Sequence, residues 1–483
     1  MLAAQTSTQY PEPKLLIAGE WVSAGNRQTQ PVINPATGET LGHLPHATTA
    51  DLDRALDAAA EAFPKWRAVP AFERGRLMKR AADLMRERSE MISRLATLEM
   101  GKPLSEARIE LQRAADIFEW YGEEARRTYG RALAPRAPGQ RLTVTKEPIG
   151  PVAAFGPWNF PTGNPARKLG AAIAAGCTVI TKPAEEAPVT ASEIARCLVD
   201  AGLPKGVCSV VFGVPAEVST HLLRSRVIRK MSFTGSTRVG KHLAKLAAEN
   251  MIRTTMELGG HGPVLVFDDV DLDHVLDLSV ASKYRNAGQV CVSPTRFYVH
   301  ESLYARFVAG FAARAKALSV GDGMVDTTQM GPLAHAGRAP YIEPLLDDAR
   351  RCGAKFHAGG TRWAGPGYFF DPTVISDVPK EARIMNEEPF GPIAMINPFS
   401  TVDDAIAQAN RLQYGLAAYA FTNSARTSNR VAAEIEAGMV GINSFLVSVP
   451  ESPFGGVKDS GYGSEEGIEG LEACLVTKFV AEV

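Results

Sequence analysis

PVAAFGPWNFPTGNPARKLGAAIAAGCTVITKPAEEAPVTASEIARCLVDAGLPKGVCSVVFG (151–213) decides the reading of the fold. Three of its apolar runs, PVAAF (151–155), TVIT (178–181) and SVVF (209–212), are too short for helices and rich in Val, Ile and Phe, as buried strands are. Between them the pattern turns helical near 161–175 and 187–201, and RKMSF (229–233) followed by a helix near 236–248 continues the series. Strand and helix in regular alternation predict a parallel, doubly wound sheet. Ligands of such sheets bind beyond the carboxyl ends of the strands, so the residues after each run are the first functional candidates.

Downstream, PVLVF (263–267), the helical DLDHVLDLSVASKYR (271–285), RFYVH (296–300) and a helix over about 301–317 repeat the alternation and predict a second α/β domain. Upstream, Thr48 and Asp51 have capping-box spacing, and Leu52, Leu56, Ala59, Phe63 and Trp66 recur every three or four residues as on an amphipathic helix. RLMKRAADLMRERSEMISRLATLEMG (76–101) continues in the same style and stops at Gly101 before Pro103. The Pro- and Gly-punctuated RTYGRALAPRAPGQRLTVTKEP (127–148) reads as a hairpin leaving the first domain. The final CLVTKFVAEV (474–483) reads as a strand away from its own core, in need of another edge. Hairpin and tail are expected to form a sheet between subunits.

The length of 483 residues suggests roughly three structural units at about 150 residues each. With 52 Lys and Arg against 53 Asp and Glu, the net charge of -1 argues against a nucleic-acid partner, whose phosphates call for a basic excess. No run approaches the roughly 18 to 20 apolar residues of a membrane span. MLAAQTSTQYPEPKLLIAGEW lacks the basic start and apolar core of a signal peptide, so a cytoplasmic protein is expected. Six dispersed cysteines form no CxxC pair and no metal-ligand spacing, so no metal is expected. Cys177, Cys197, Cys208 and Cys474 sit among apolar neighbours. Cys291, in NAGQVCVSPTR with Arg285 and Arg296 nearby, lies in a polar setting that favours a thiolate.

Six motifs fall at predicted strand ends or in loops: PWNFP (157–161), TKPAEEAP (181–188), FTGSTRVG (233–240), MELGG (256–260), GQVC (288–291) and NEEPFGP (386–392). Singly they are ambiguous. Gly235-Ser-Thr-Arg-Val-Gly240 offers backbone N–H groups to a pyrophosphate but lacks the middle glycine of the dinucleotide fingerprint. Lys182 with Glu185 reads equally well as a solvated pair, and Pro157-Trp158 as a packed turn. In this order, from LLIAGEW near the start to PFGGVKDSGYG (453–463) near the end, the motifs resemble the aldehyde dehydrogenase superfamily.

The resemblance implies an α/β fold with a Rossmann-like NAD-binding domain (1–126 and 149–256) and a second α/β catalytic domain (257–442). It also implies an oligomerisation hairpin and tail (127–148 and 470–483), a substrate-pocket and return segment (443–469), and a homodimer or homotetramer. It implies Cys291 as nucleophile, Glu257 as the base that activates water, and the Asn159 amide with the Cys291 backbone N–H as oxyanion hole. These residue types suit the chemistry, because a trigonal aldehyde cannot release hydride until a nucleophile has made its carbon tetrahedral. The resemblance further implies NAD, with its adenosine ribose against Lys182 and Glu185 and its pyrophosphate at Gly235 and Ser236. Trp158, Leu258, Glu388 and Phe390 would lie toward the nicotinamide. A carboxylate at 185 accepts from two ribose hydroxyls and repels a 2'-phosphate, so NADP is expected to be less favoured. Lys168 and Glu465 match positions that relay the base's proton.

Arg167, eight residues beyond Asn159, and Arg285, six before Cys291, match the arginines that hold the distal carboxylate in succinate-semialdehyde dehydrogenases. Ser448 stands at the place of their hydroxyl ligand. Both arginines are expected beside the acyl pocket, and the expected substrate is a small anionic aldehyde, succinate semialdehyde first. 2-Oxoglutarate semialdehyde and then glutarate semialdehyde are the alternatives, since one methylene or keto group changes binding by only about 1–3 kcal/mol. Two departures stand out: His261 replaces the lysine of MELGGK and alters the charge beside the base, and Ser293 replaces a second cysteine. A cysteine hydrolase would instead need a histidine beside Cys291, and His274 and His300 fall in helix- and strand-like settings.

Overall fold

The runs read as strands at 151–155, 178–181 and 209–212 are neighbouring parallel strands, Val152–Phe155, Val179–Lys182 and Cys208–Val210, buried along their whole length. Lys230–Thr234 pairs on the other side of Val152–Phe155, and Arg253–Glu257 lies beyond it. Sheet growth therefore reverses between Val152–Phe155 and Lys230–Thr234, and this switch point opens a crevice at the carboxyl ends of the strands. Short antiparallel strands, Leu15–Ile17 on one side and Gly461–Tyr462 on the other, border the five parallel ones. The structure is a computed structural model and describes residues 10–483; the first nine residues of the segment read for a signal peptide lie outside it.

A second, seven-stranded sheet is built on Gly262–Val266, Pro294–His300, Ile393–Phe399, Thr373–Ser376, Ala417–Phe421 and Met439–Ile442, all parallel, with Lys355–Ala358 antiparallel at one edge. Each sheet has its own apolar core. Only four residues separate Glu257, the last of one sheet, from Gly262, the first of the next, so MELGG bridges the two.

The capping box at Thr48 and Asp51 starts the helix Thr49–Arg67. The stretch 76–101 differs from its reading as one helical run. It is two helices, Ala71–Glu87 and Ser89–Met100, broken at Arg88 (φ -98, ψ 12), whose guanidinium pairs with Asp200 at 2.7 Å. Met85 and Ile92 are both buried at a seven-residue spacing, so the apolar pattern runs through the break unaltered. Gly101, at φ +85, ends the second helix as expected.

Leu475–Glu482 pairs antiparallel with Arg141–Pro148, which pairs in turn with Arg131–Leu133. The tail finds its edge in the hairpin of its own chain, so hairpin and tail form one three-stranded sheet. Among the described residues, no helix is long and apolar enough to cross a membrane.

Candidate active site

A cleft of about 480 Å³ opens where the first sheet's carboxyl ends meet the loop entering Pro294–His300. Trp158, Asn159, Gly235, Ser236, Leu258, Cys291, Glu388 and Phe390 all line it. The loop before Cys291 is held in a costly shape: Asn286 and Ala287 have φ of 52 and 51, a left-handed backbone that non-glycine residues seldom adopt. Hydrogen bonds fix it there. Asn286 N donates to Glu106 Oε2 (2.8 Å), Asn286 Nδ2 donates to the Asn159 carbonyl (3.0 Å), and Gln289 Oε1 accepts from Ala334 N (3.0 Å).

Asn159 is buried and built into the same network. Its Nδ2 donates to the Gln289 carbonyl (3.1 Å), which leaves the second amide hydrogen uncommitted. Its carbonyl accepts from Lys102 Nζ (2.9 Å), and Lys102 is paired with buried Glu110 and lies over the Phe160 ring. Glu110 accepts from the N–H groups of Thr162 and Gly163 (2.8 and 3.0 Å) and so caps the helix Gly163–Ala175. Asn159 is thereby relieved of a helix-capping duty.

The expected thiolate setting of Cys291 is not what the structure shows. Arg296 is buried and spends its guanidinium on the carbonyls of His261, Gln408 and Ala409, and Arg285 is exposed. Burial pushes the Cys291 thiol up to about 12; the charge of Arg167 opposes this, while Glu388 and Glu257 reinforce it. Burial thus favours the neutral thiol at Cys291. Glu257, at the end of its strand, is almost fully buried, and neither carboxyl oxygen has a hydrogen-bond partner among the described residues. Burial first, then the charge of Glu465, raises its pKa well above the carboxylate range, against the pull of Lys168 and Arg167. Lys168 is bound to Glu465, to Thr234 Oγ1 (2.7 Å) and to Ser232 Oγ (3.2 Å). Burial alone would raise Glu465 too, but Lys168 and Arg167 bring it below its usual value.

On the opposite wall, glycines make room for specific neighbours. A Cβ on Gly240 would stand 2.4 Å from Leu258, and one on Gly259 would stand 2.5 Å from Glu388 Oε2. Glu388 accepts from Gly260 N (2.9 Å), and burial lifts its carboxyl to about 7. Ser236 caps the helix Thr237–Glu249, whose first N–H groups open onto the cleft beside Gly235. Phe390 meets Trp158 edge-on at 5.6 Å. Lys182 and Glu185 pair at 2.5 Å, with Lys182 buried and Glu185 also accepting from Gly213 N (3.4 Å), so they are not a solvated surface pair. A slot lined by Gly156, Pro157, Pro183, Ala184 and Ala187 adjoins the cleft. A helix N-terminus for phosphates, a carboxylate for ribose hydroxyls and a narrow apolar slot for a base suit a dinucleotide.

Arg167 is half-buried, and its charge reaches Cys291. Its Nε pairs with Glu466 Oε1 (2.8 Å) and its Nη2 donates to Ser448 Oγ (3.2 Å). Burial opposes its charge, but Glu466 and then Glu465 keep it firmly protonated. Arg285 is exposed and lines a cavity with Glu106 and Tyr284, while its guanidinium lies over the Phe160 ring at 5.8 Å and its charge reaches Arg113. Arg285 is itself the extended C-cap (φ -52, ψ 132) of the helix Leu272–Tyr284. His261 adds no charge beside the base. Burial, then Arg296, drives its proton off, and its ring is bound by Thr295 and the Ile384 carbonyl. Ser293 accepts from buried Lys283 (3.0 Å).

Lys102, Glu110, Arg113 and Glu466 reach the site without a motif to announce them. Only Glu110 carried a signal, since it falls on the apolar stripe of Ala107, Leu111 and Ala114.

Residues 21–480 match the aldehyde dehydrogenase family. The chain belongs to that family. It is 51% identical over 468 residues to the 4-(hydroxymethyl)benzenesulfonate dehydrogenase of Comamonas testosteroni, covering 97% of this chain and 98% of that one. It is 43% identical over 464 residues to a glutarate-semialdehyde dehydrogenase of Pseudomonas aeruginosa, covering 96% of each. The crystal structure of succinate-semialdehyde dehydrogenase from Burkholderia pseudomallei superposes with a TM-score of 0.96 at 41% identity, covering 99% of this chain and 100% of that one. Family and fold therefore agree with the order of motifs read from the sequence.

Proposed function

We propose that this family member oxidises an aldehyde with a remote anionic group to the carboxylic acid, using NAD, and that succinate semialdehyde is such a substrate. The observation that carries the reading is the position of Arg167, a half-buried cation held by Glu466 and Ser448 whose charge acts on Cys291. An anion gripped there leaves the aldehyde of a short molecule at the sulfur.

The Cys291 sulfur, its proton given up to water in the cleft, attacks the aldehyde carbon. The resulting alkoxide is held by the free hydrogen of the Asn159 amide and by the Cys291 backbone N–H. Bound NAD supplies the hydride acceptor, and the product on Cys291 is a thioester. Glu257, having passed its proton toward Lys168 and Glu465, then takes a proton from water. The hydroxide adds to the thioester carbon, the C–S bond breaks, and Cys291 leaves and is reprotonated. The nucleophile is regenerated with one water consumed.

Kinetics with succinate, 2-oxoglutarate and glutarate semialdehydes beside acetaldehyde test the substrate reading. The anionic aldehydes are expected to exceed acetaldehyde in kcat/KM by about tenfold or more, as one charge-assisted contact provides; equal values would refute it. A second reading, an aldehyde bearing a sulfonate, is favoured by an additional guanidinium at the anion site and by the relative named for a benzenesulfonate. For the cofactor, kcat/KM with NAD is expected to exceed that with NADP by about tenfold or more, because like charges at Glu185 repel. Glu185→Gln should narrow that gap, and a wild-type enzyme that works as well with NADP would overturn the assignment.

A further inference from the structure

A second arginine converges on the hydroxyl that Arg167 touches. Arg113, from the middle of the helix Leu104–Glu124, donates from Nη2 to Ser448 Oγ and lies 3.7 Å from Glu466 Oε2. The charge of Arg167 acts on it, and these two guanidinium groups meet at a single fully buried carboxylate, Glu466, while the charge of exposed Arg285 also reaches Arg113. Of the neighbouring acids, Glu465 acts on Arg167 but is itself paired with Lys168. Asp116 is engaged by Arg86 at 2.9 Å, and burial lifts Glu106, beside Arg285, to about 7. An excess of cations in a poorly solvated place calls for an anion.

The donor inventory points the same way. Ser448 has one hydroxyl proton, and its two guanidinium neighbours can only donate, so that proton goes to Glu466 Oε2 at 2.8 Å. In this arrangement the hydroxyl proton is committed to Glu466. Arg113 Nε, by contrast, is buried with no partner among the described residues.

We propose that Arg113 is a specificity-determining residue that binds the substrate's remote anion together with Arg167, braced by Ser448 and Glu466. This rests on the anionic-aldehyde reading above and deepens it. A sulfonate presents three oxygens to donors on several sides, whereas a carboxylate presents two in one plane, so the extra guanidinium favours the sulfonate.

Three chain-matched aldehydes separate the possibilities: 3-oxopropanesulfonate, succinate semialdehyde and butanal, each measured with the wild type, Arg113→Met and Arg113→Lys. The wild type is expected to favour both anions over butanal. Arg113→Met should lower kcat/KM for the sulfonate by about 10- to 100-fold, through KM, with a smaller loss for the carboxylate and less than about twofold for butanal. Arg113→Lys should recover part of the loss. An equal loss on all three aldehydes, or none on the sulfonate, would overturn the role of Arg113 and leave the anionic-aldehyde reading intact. A wild type indifferent to the anions would sink that reading itself, and the proposal with it.

Discussion

Cys291→Ala is expected to abolish aldehyde-dependent NADH formation, with kcat lower by on the order of 10⁴-fold or more, as when a covalent nucleophile is removed from other enzymes. The loss is chemical rather than structural. Cys291 is partly open to the cleft, and the loop that carries it is held by Asn286, Gln289 and Glu106. Thermal melting of the variant should therefore lie close to that of the wild type. Residual activity above about one part in a hundred would mean that another group attacks the aldehyde.

Glu257→Gln should separate the two halves of the reaction. Reduction of the cofactor requires attack by Cys291, whereas release of the acid requires activated water, so the variant should give at most one NADH per site before stalling. Steady-state turnover should fall by about 10²- to 10⁴-fold, the usual range for a general base. The pH dependence follows from the raised carboxyl. Glu257 works only when ionised, so wild-type turnover should decline as pH falls through its elevated pKa, and the variant should lose that limb. Stability has the opposite sign: a carboxyl raised by burial favours folding while it is protonated, and that contribution disappears as pH rises through the folded value. An amide at 257, which cannot ionise, should flatten this alkaline loss in a melting series.

The strands around 151–213 were legible because parallel strands covered on both faces become uninterrupted apolar runs, and the ends of such strands are where a crevice forms. Nearness in sequence misled at two arginines. Arg296 is five residues from Cys291, but its strand turns it into the core toward backbone carbonyls, and Arg285, six residues away, is exposed. Arg113 was not legible at all, since an arginine on an amphipathic helix looks like any solvated one until the segments carrying Ser448 and Glu466 fold over it. The break at Arg88 was hidden for a related reason: burial on both sides preserved the helical spacing.

The thioester on Cys291 is the centre of this account, and trapping it is the most direct test. Glu257→Gln should be mixed with NAD and succinate semialdehyde, quenched, digested and mapped by mass spectrometry. One succinyl group per chain on the peptide containing Cys291, matched by one equivalent of NADH, is the predicted result. An adduct on another residue, or repeated turnover with no adduct at all, would contradict it.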